Sequence, residues 1–109
     1  MAFDEVLAGR IRTALGRRRG LTERKMFGGL VFMLHGNMVC GVAQDDLMVR
    51  LGKEGVAAAL HEPHARAWDL SSQPIGSFVL VSPAGYAADI DLHSWLDRGV
   101  AFALTLPPK

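Results

Sequence analysis

Residues 24–51, RKMFGGLVFMLHGNMVCGVAQDDLMVRL, constrain the fold more than any other stretch. Apolar side chains alternate through them with the two-residue period of a strand, and two turn sequences interrupt the run. Leu30, Phe32 and Leu34 share one face, and Val31 and Met33 the other. Gly36-Asn37 is predicted as a two-residue hairpin turn, because both residues tolerate positive φ. That turn sets His35 opposite Met38, so Met38, Cys40 and Val42 join the Val31 face and Val39 joins the Leu34 face. Gln44-Asp45-Asp46 supplies the second turn. With all three residues in the loop, Leu47, Val49 and Leu51 follow Val39, while Met48 and Arg50 follow Val42; a two-residue loop swaps the sets. Two tight turns force an antiparallel three-stranded meander.

Helical spacing surrounds this meander. Phe3, Val6, Leu7, Ile11 and Leu15 recur at helix period, with Asp4 and Glu5 in the first turn and Arg10 and Arg12 later, as the helix dipole favours. Gly16 and Gly20 bracket an arginine-rich stop. Gly52 ends the third strand. An Ala-rich helix is predicted over 53–60, with Pro63 beyond it, then a strand over 65–70, a Ser-Ser-Gln-Pro loop at 71–74 and a strand over 75–82. Asp89 or Asp91 caps a last helix carrying Ile90, Leu92, Trp95, Leu96, Val100 and Phe102, stopped by Pro107-Pro108. The order α-β-β-β-α-β-β-α makes one domain, residues 1–109: a two-layer α+β fold with a five-stranded antiparallel sheet and helices on one face.

Composition narrows the setting. A lone cysteine, Cys40, excludes an intramolecular disulfide and fits a reducing cytoplasm. The first residues, MAFDE, are acidic where a signal peptide is basic, and the longest apolar runs fall far short of the ~20 residues a membrane span needs. Net charge is +1, unevenly spread. Residues 1–25 carry seven Arg and Lys against Asp4, Glu5 and Glu23, a net of +4, which leaves −3 for the rest.

The same residues carry a resemblance. Met-Phe-Gly-Gly at 26–29, the Gly-Asn hairpin, the LMVRL strand and the closing LHSWLDRGVAFALTLPPK together resemble the N-terminal domain of the TfoX family, named for bacterial competence regulators. The resemblance covers nearly the whole chain. It implies a two-layer α+β fold with antiparallel strands, a regulatory association, and no established catalytic residues. Full-length regulators carry a second, helical domain. Stand-alone relatives often have Thr-Gly-Arg-Pro where this chain has Ser-Ser-Gln-Pro.

Candidate sites divide by chemistry. Met26, Phe27, Gly28 and Gly29 offer backbone amides to a ligand, although paired glycines at a strand start more simply permit a bulge or a close approach. Arg50 and Arg66 are the charges placed to meet a ligand or partner in a groove near those glycines, for a small-molecule binder or weak enzyme; a structural salt bridge is the plainer role. Arg17, Arg18, Arg19, Arg24 and Lys25 suit weak, sequence-blind nucleic-acid binding or simply a solvated helix end. Cys40 reads as a packing residue. The His61/Glu62/His64 cluster and the Asp89/His93/Asp97 row lack established zinc spacing. No catalytic residue, metal site or cofactor is assigned.

Both faces of the sheet read apolar. Leu30, Phe32, Leu34, Val39, Val49, Phe78 and Leu80 are expected to form the helix-covered core. Val31, Met33, Met38, Val42, Met48, Val79 and Val81 are expected on a bare second face, which calls for a homodimer or a protein partner. The expected function is a non-enzymatic interaction or regulatory module.

Overall fold

The computed structural model describes residues 3–26, 28–68 and 76–109. Helix α1, Glu5–Leu15, begins where Asp4 turns its carboxylate back on the chain: Oδ1 accepts from the backbone N–H groups of Val6 at 2.9 Å and Leu7 at 3.1 Å. Two of the four orphan donors of the helix start are thereby satisfied. An Asp4→Ala variant is expected to lose about 1 kcal/mol of stability, read as a lower urea midpoint with unchanged slope. Leu7, Ala8, Ile11 and Leu15 bury the inner stripe of the helix.

The described residues form six strands, not five, in the order β1-β2-β3-β4-β6-β5, every neighbouring pair antiparallel. The added strand is β1, Leu21–Met26, paired along its length with β2, Gly29–Leu34. The sequence LTERKM shows no two-residue period because neither face of this edge strand is buried. Its charges blunt an open edge that would otherwise recruit another strand.

The next hairpin corrects the expected register. Leu34 pairs with Asn37, so the turn is His35-Gly36, at φ 53° and 84°. Positive φ at both central residues is the type I′ signature. Asn37 is buried, and its Nδ2 donates to the Pro107 carbonyl at 2.9 Å. In β3, Asn37–Ala43, a bulge follows: Met33 pairs with Met38 but Phe32 pairs with Cys40, leaving Val39 as the extra residue. A bulge puts two successive residues opposite one. Cys40 and Val42 consequently join Leu30 and Phe32 in the helix-side core rather than the Val31 face.

Strand β4, Asp46–Arg50, follows a two-residue loop, since Ala43 pairs with Asp46. Leu47 and Val49 face the helices, and Met48 and Arg50 the other side. Register then decides β6, Phe78–Val81, which starts later than expected: Val79 pairs with Val49 and Val81 with Leu47. Val79 and Val81 therefore belong to the helix-side core, and Phe78 and Leu80 to the second face, the reverse of the expected phase. Strand β5 is only Ala65–Ala67; the 71–74 loop lies outside the described residues.

Helices α2, Gly52–Ala59, and α3, Asp89–Ala103, complete the helix layer with α1. Ala88 is the N-cap of α3 and offers no side-chain bond; Asp89 and Asp91 sit in its first turn instead, against the positive end of the dipole. Helix α3 lies over β3 and β4. A Cβ added at Gly99 would stand 2.8 Å from the Val39 carbonyl oxygen, so glycine permits the close crossing.

The second face is not bare. Val31, Met48 and Leu80 are no more than 1% exposed, and Trp68 leans on Phe78 with ring centroids 5.4 Å apart. Met26, Met33 and Met38 remain partly buried at the margin of this smaller core.

Candidate functional site

The glycine pair has a mechanical explanation. Met26 pairs with Gly29, leaving two residues to turn the chain, and Gly28 adopts φ 72°. A Cβ on Gly29 would collide with the Val42 carbonyl oxygen. One glycine thus supplies left-handed backbone and the next a close strand approach. Phe27 lies outside the described residues.

Register separates these glycines from Arg50. Arg24, Val31, Gly41, Met48, Leu80 and Arg66 form one cross-strand row on the second face. Gly29 lies two residues to one side of that row and Arg50 two residues to the other. At ~3.3 Å per residue, about 13 Å of sheet intervenes along the strand direction. Arg66 donates through Nη2 to Asp46 Oδ2 at 2.7 Å, the structural salt bridge that its plainer role implies. Arg50 holds its guanidinium near two rings, 6.0 Å from the Phe78 centroid and 5.6 Å from that of Phe102, at cation–π range. Its Nε is buried and makes no hydrogen bond among the described residues. The expected groove uniting Gly28, Gly29, Arg50 and Arg66 is therefore spread over opposite ends of the sheet.

Of the seven residues expected at an interface, Val42, Val79 and Val81 pack under the helices. Val31 and Met48 are buried within the chain, and Met33 and Met38 alone remain partly exposed. Cys40 is fully buried, and loss of hydration pushes its thiol pKa up, keeping it protonated. Nucleophilic chemistry needs the opposite environment.

The histidine-carboxylate clusters also resolve into structure. Glu62 takes a two-pronged bond from Arg98, at 2.7 and 3.0 Å, while the guanidinium lies 4.1 Å from the Trp95 ring centroid. The Arg98 bond holds the Glu62 carboxyl below its usual pKa. Beside it, Glu62, His64, Asp91, Ser94 and Arg98 line a small cavity of about 260 Å³. Asp89 is engaged by Arg10 at 2.9 Å, and Arg10 also donates to the carbonyls of Tyr86 and Ala87. No group of three metal-ligating side chains gathers among the described residues. None of the described helices is long and apolar enough to cross a membrane.

Two surface features emerge that spacing alone did not isolate. Helices α1 and α3 flank a groove of about 510 Å³ lined by Val6, Gly9, Thr13, Leu92 and His93, with Arg10 and Asp89 at its wall. Val6 and Ile90, both placed in the apolar stripes by period, are instead 74% and 80% exposed. Their signal is that each sits about one residue off the buried stripe of its helix. The second feature is basic. Arg12 is taken by Glu23 through a fork of 2.8 and 2.9 Å, which raises the Arg12 pKa and lowers that of Glu23. Arg17, Arg18 and Arg19 are exposed in the connection from α1 to β1, and Arg24 and Lys25 are exposed on β1 itself. The latter two thus belong to a sheet edge and not to a helix end.

Compared with known proteins, residues 13–103 match the family model of the TfoX N-terminal domain. No curated protein and no solved structure matches the chain.

Proposed function

The chain belongs to the TfoX N-terminal domain family, a family of regulatory rather than catalytic type, and from that premise we propose that it is a non-enzymatic interaction module working as a homodimer. The observation that carries this reading is the α1–α3 groove. Val6 and Ile90 are among the few large apolar side chains left well exposed, and both belong to the helices that form the groove. Val6 lines the groove and Ile90 follows Asp89, which also lines it; exposed apolar side chains on such helices gain from covering by a partner. Gly9 adds to the fit, since a Cβ there would meet nothing within 4 Å and the helix backbone is open to approach. The paired second face, buried within the chain, contributes only its methionine margin, Met33 and Met38.

Size-exclusion chromatography with light scattering tests the reading. The wild-type chain is expected at twice the chain mass at micromolar concentration, and the double variant Val6→Glu/Ile90→Glu at the single-chain mass with its far-UV spectrum retained. A wild-type chain that runs as a monomer at micromolar concentration overturns the homodimer.

A further inference from the structure

We propose that the basic edge formed by Arg17, Arg18, Arg19, Arg24 and Lys25 binds the phosphate backbone of duplex nucleic acid without reading its sequence. The proposal is independent of self-association through the α1–α3 groove, since none of these five residues lines that groove.

The first support is which cations are already spent. Arg10, Arg12, Arg66 and Arg98 each hold a carboxylate: Asp89, Glu23, Asp46 and Glu62 respectively. Arg17, Arg18, Arg19, Arg24 and Lys25 hold none among the described residues, and all five fall within nine positions of the chain. The chain has 12 basic and 11 acidic residues; without these five, 7 basic residues face 11 acidic, so the remaining body carries −4 and the edge +5. A field divided in this way turns the molecule basic edge first toward a polyanion. The acidic residue inside the segment, Glu23, does not oppose this, because both its oxygens are occupied by Arg12.

Shape favours a duplex over an acidic protein surface. From position 21 to position 25 the strand runs about 13 Å at ~3.3 Å per residue, and Arg17, Arg18 and Arg19 stand in the turn that leads into it. Successive phosphates along one strand of B-form DNA are 3.4 Å apart in rise, so the strand alone spans roughly four of them. Among the described residues β1 ends the sheet, so its outward backbone N–H groups have no described strand to pair with. Such donors, together with Arg and Lys, are the groups that hold phosphate oxygens. Arg24 pairs across to Val31 and Lys25 to Leu30, so the two side chains leave opposite faces of the strand. Cations on both flanks of a ridge match the two phosphate rails that border a groove. No described aromatic side chain stands among the five, so base stacking plays no part and recognition stays with the backbone.

Fluorescence anisotropy with a labelled mixed-sequence DNA duplex tests this across a salt series. Five neutralised phosphates give a slope of log K against log salt of about −4.5, so affinity is expected to fall about 500-fold between 50 and 200 mM salt. Changing the triplet Arg17→Ala/Arg18→Ala/Arg19→Ala is expected to reduce the slope by about 2.7, and Arg24→Ala/Lys25→Ala by about 1.8. Lys53→Ala, an exposed cation on α2, leaves it unchanged. A scrambled duplex of equal length binds equally. No binding at 50 mM salt overturns the proposal. So does binding with the slope kept in both multiple variants. Equal affinity for a polyglutamate chain of matched charge assigns the edge to acidic proteins and overturns it too. The replaced side chains are all exposed, so unchanged melting midpoints keep a failure to bind distinct from a failure to fold.

Discussion

Replacing Phe32 with alanine is expected to remove about 3–5 kcal/mol of stability, the usual cost of truncating a fully enclosed aromatic side chain. Phe32 is 0% exposed and sits in the middle of β2 on the face beneath the helices. It pairs with Glu23 on one side and Cys40 on the other, at the bulge in β3. Two losses add: the transfer free energy of the ring and the cavity it leaves, which strands held by register on both sides cannot close. A domain of this size has only ~5–15 kcal/mol in hand. The melting midpoint is expected to fall by roughly 12–40 °C, at about 4–8 °C per kcal/mol. Urea unfolding gives the measurement, with the slope unchanged if the native fold persists. A loss below about 1 kcal/mol would show that Phe32 does not pack as described.

Gly99→Val is expected to cost about 3 kcal/mol for the opposite reason, too much matter in place of too little. Glycine inside a helix costs about 1 kcal/mol relative to alanine, so its presence in α3 requires a return elsewhere. The return is proximity. An added Cβ would stand 2.8 Å from the Val39 carbonyl oxygen, 3.2 Å from Val39 Cγ1 and 3.3 Å from Val49 Cγ1. The neighbours belong to β3 and β4, in the middle of the sheet, and the nearest atom is backbone, so α3 must lift. Better helix propensity returns only a few tenths of a kcal/mol with valine. Gly99→Ala gains the full propensity term and pays a smaller clash, so it is expected to lie between wild type and Gly99→Val. Equal stability of Gly99→Val and wild type in urea would remove the close crossing from the account of this fold.

The sequence displays the helices and the meander because their buried faces are wide and regular. Leu7, Ile11 and Leu15 repeat cleanly, and so do Leu30, Phe32 and Leu34. It hides β1, since a strand wet on both faces carries no alternation to detect. It also hides the bulge. Nothing in NMVCGVA marks Val39 as surplus, yet that one residue moves Cys40 and Val42 to the opposite face. His35-Gly36 and Gly36-Asn37 are comparable turn formers, and the choice between them falls to a distant partner, the Pro107 carbonyl that accepts from Asn37. Phase in β6 was unreadable for a similar reason: FVLV is apolar at every position, and only pairing with β4 decides which residues turn inward. Among the functional candidates, the five unpaired cations were visible as charge. What the sequence withheld was that two of them stand on an exposed sheet edge, and that the neighbouring arginines are already committed to carboxylates.

The extra residue in β3 also ties two positions sixty apart into one unit of inheritance. The bulge residue Val39 presents its carbonyl to α3, and Gly99 is the relief cut to receive it. In a relative that lacked the surplus residue, the strand would run straight and the constraint at 99 would relax, leaving room for alanine with its better helical fit. Length at one locus and side-chain size at the other should therefore drift together between descendants, so that exchanging either feature alone between two such chains harms both, while exchanging the pair harms neither.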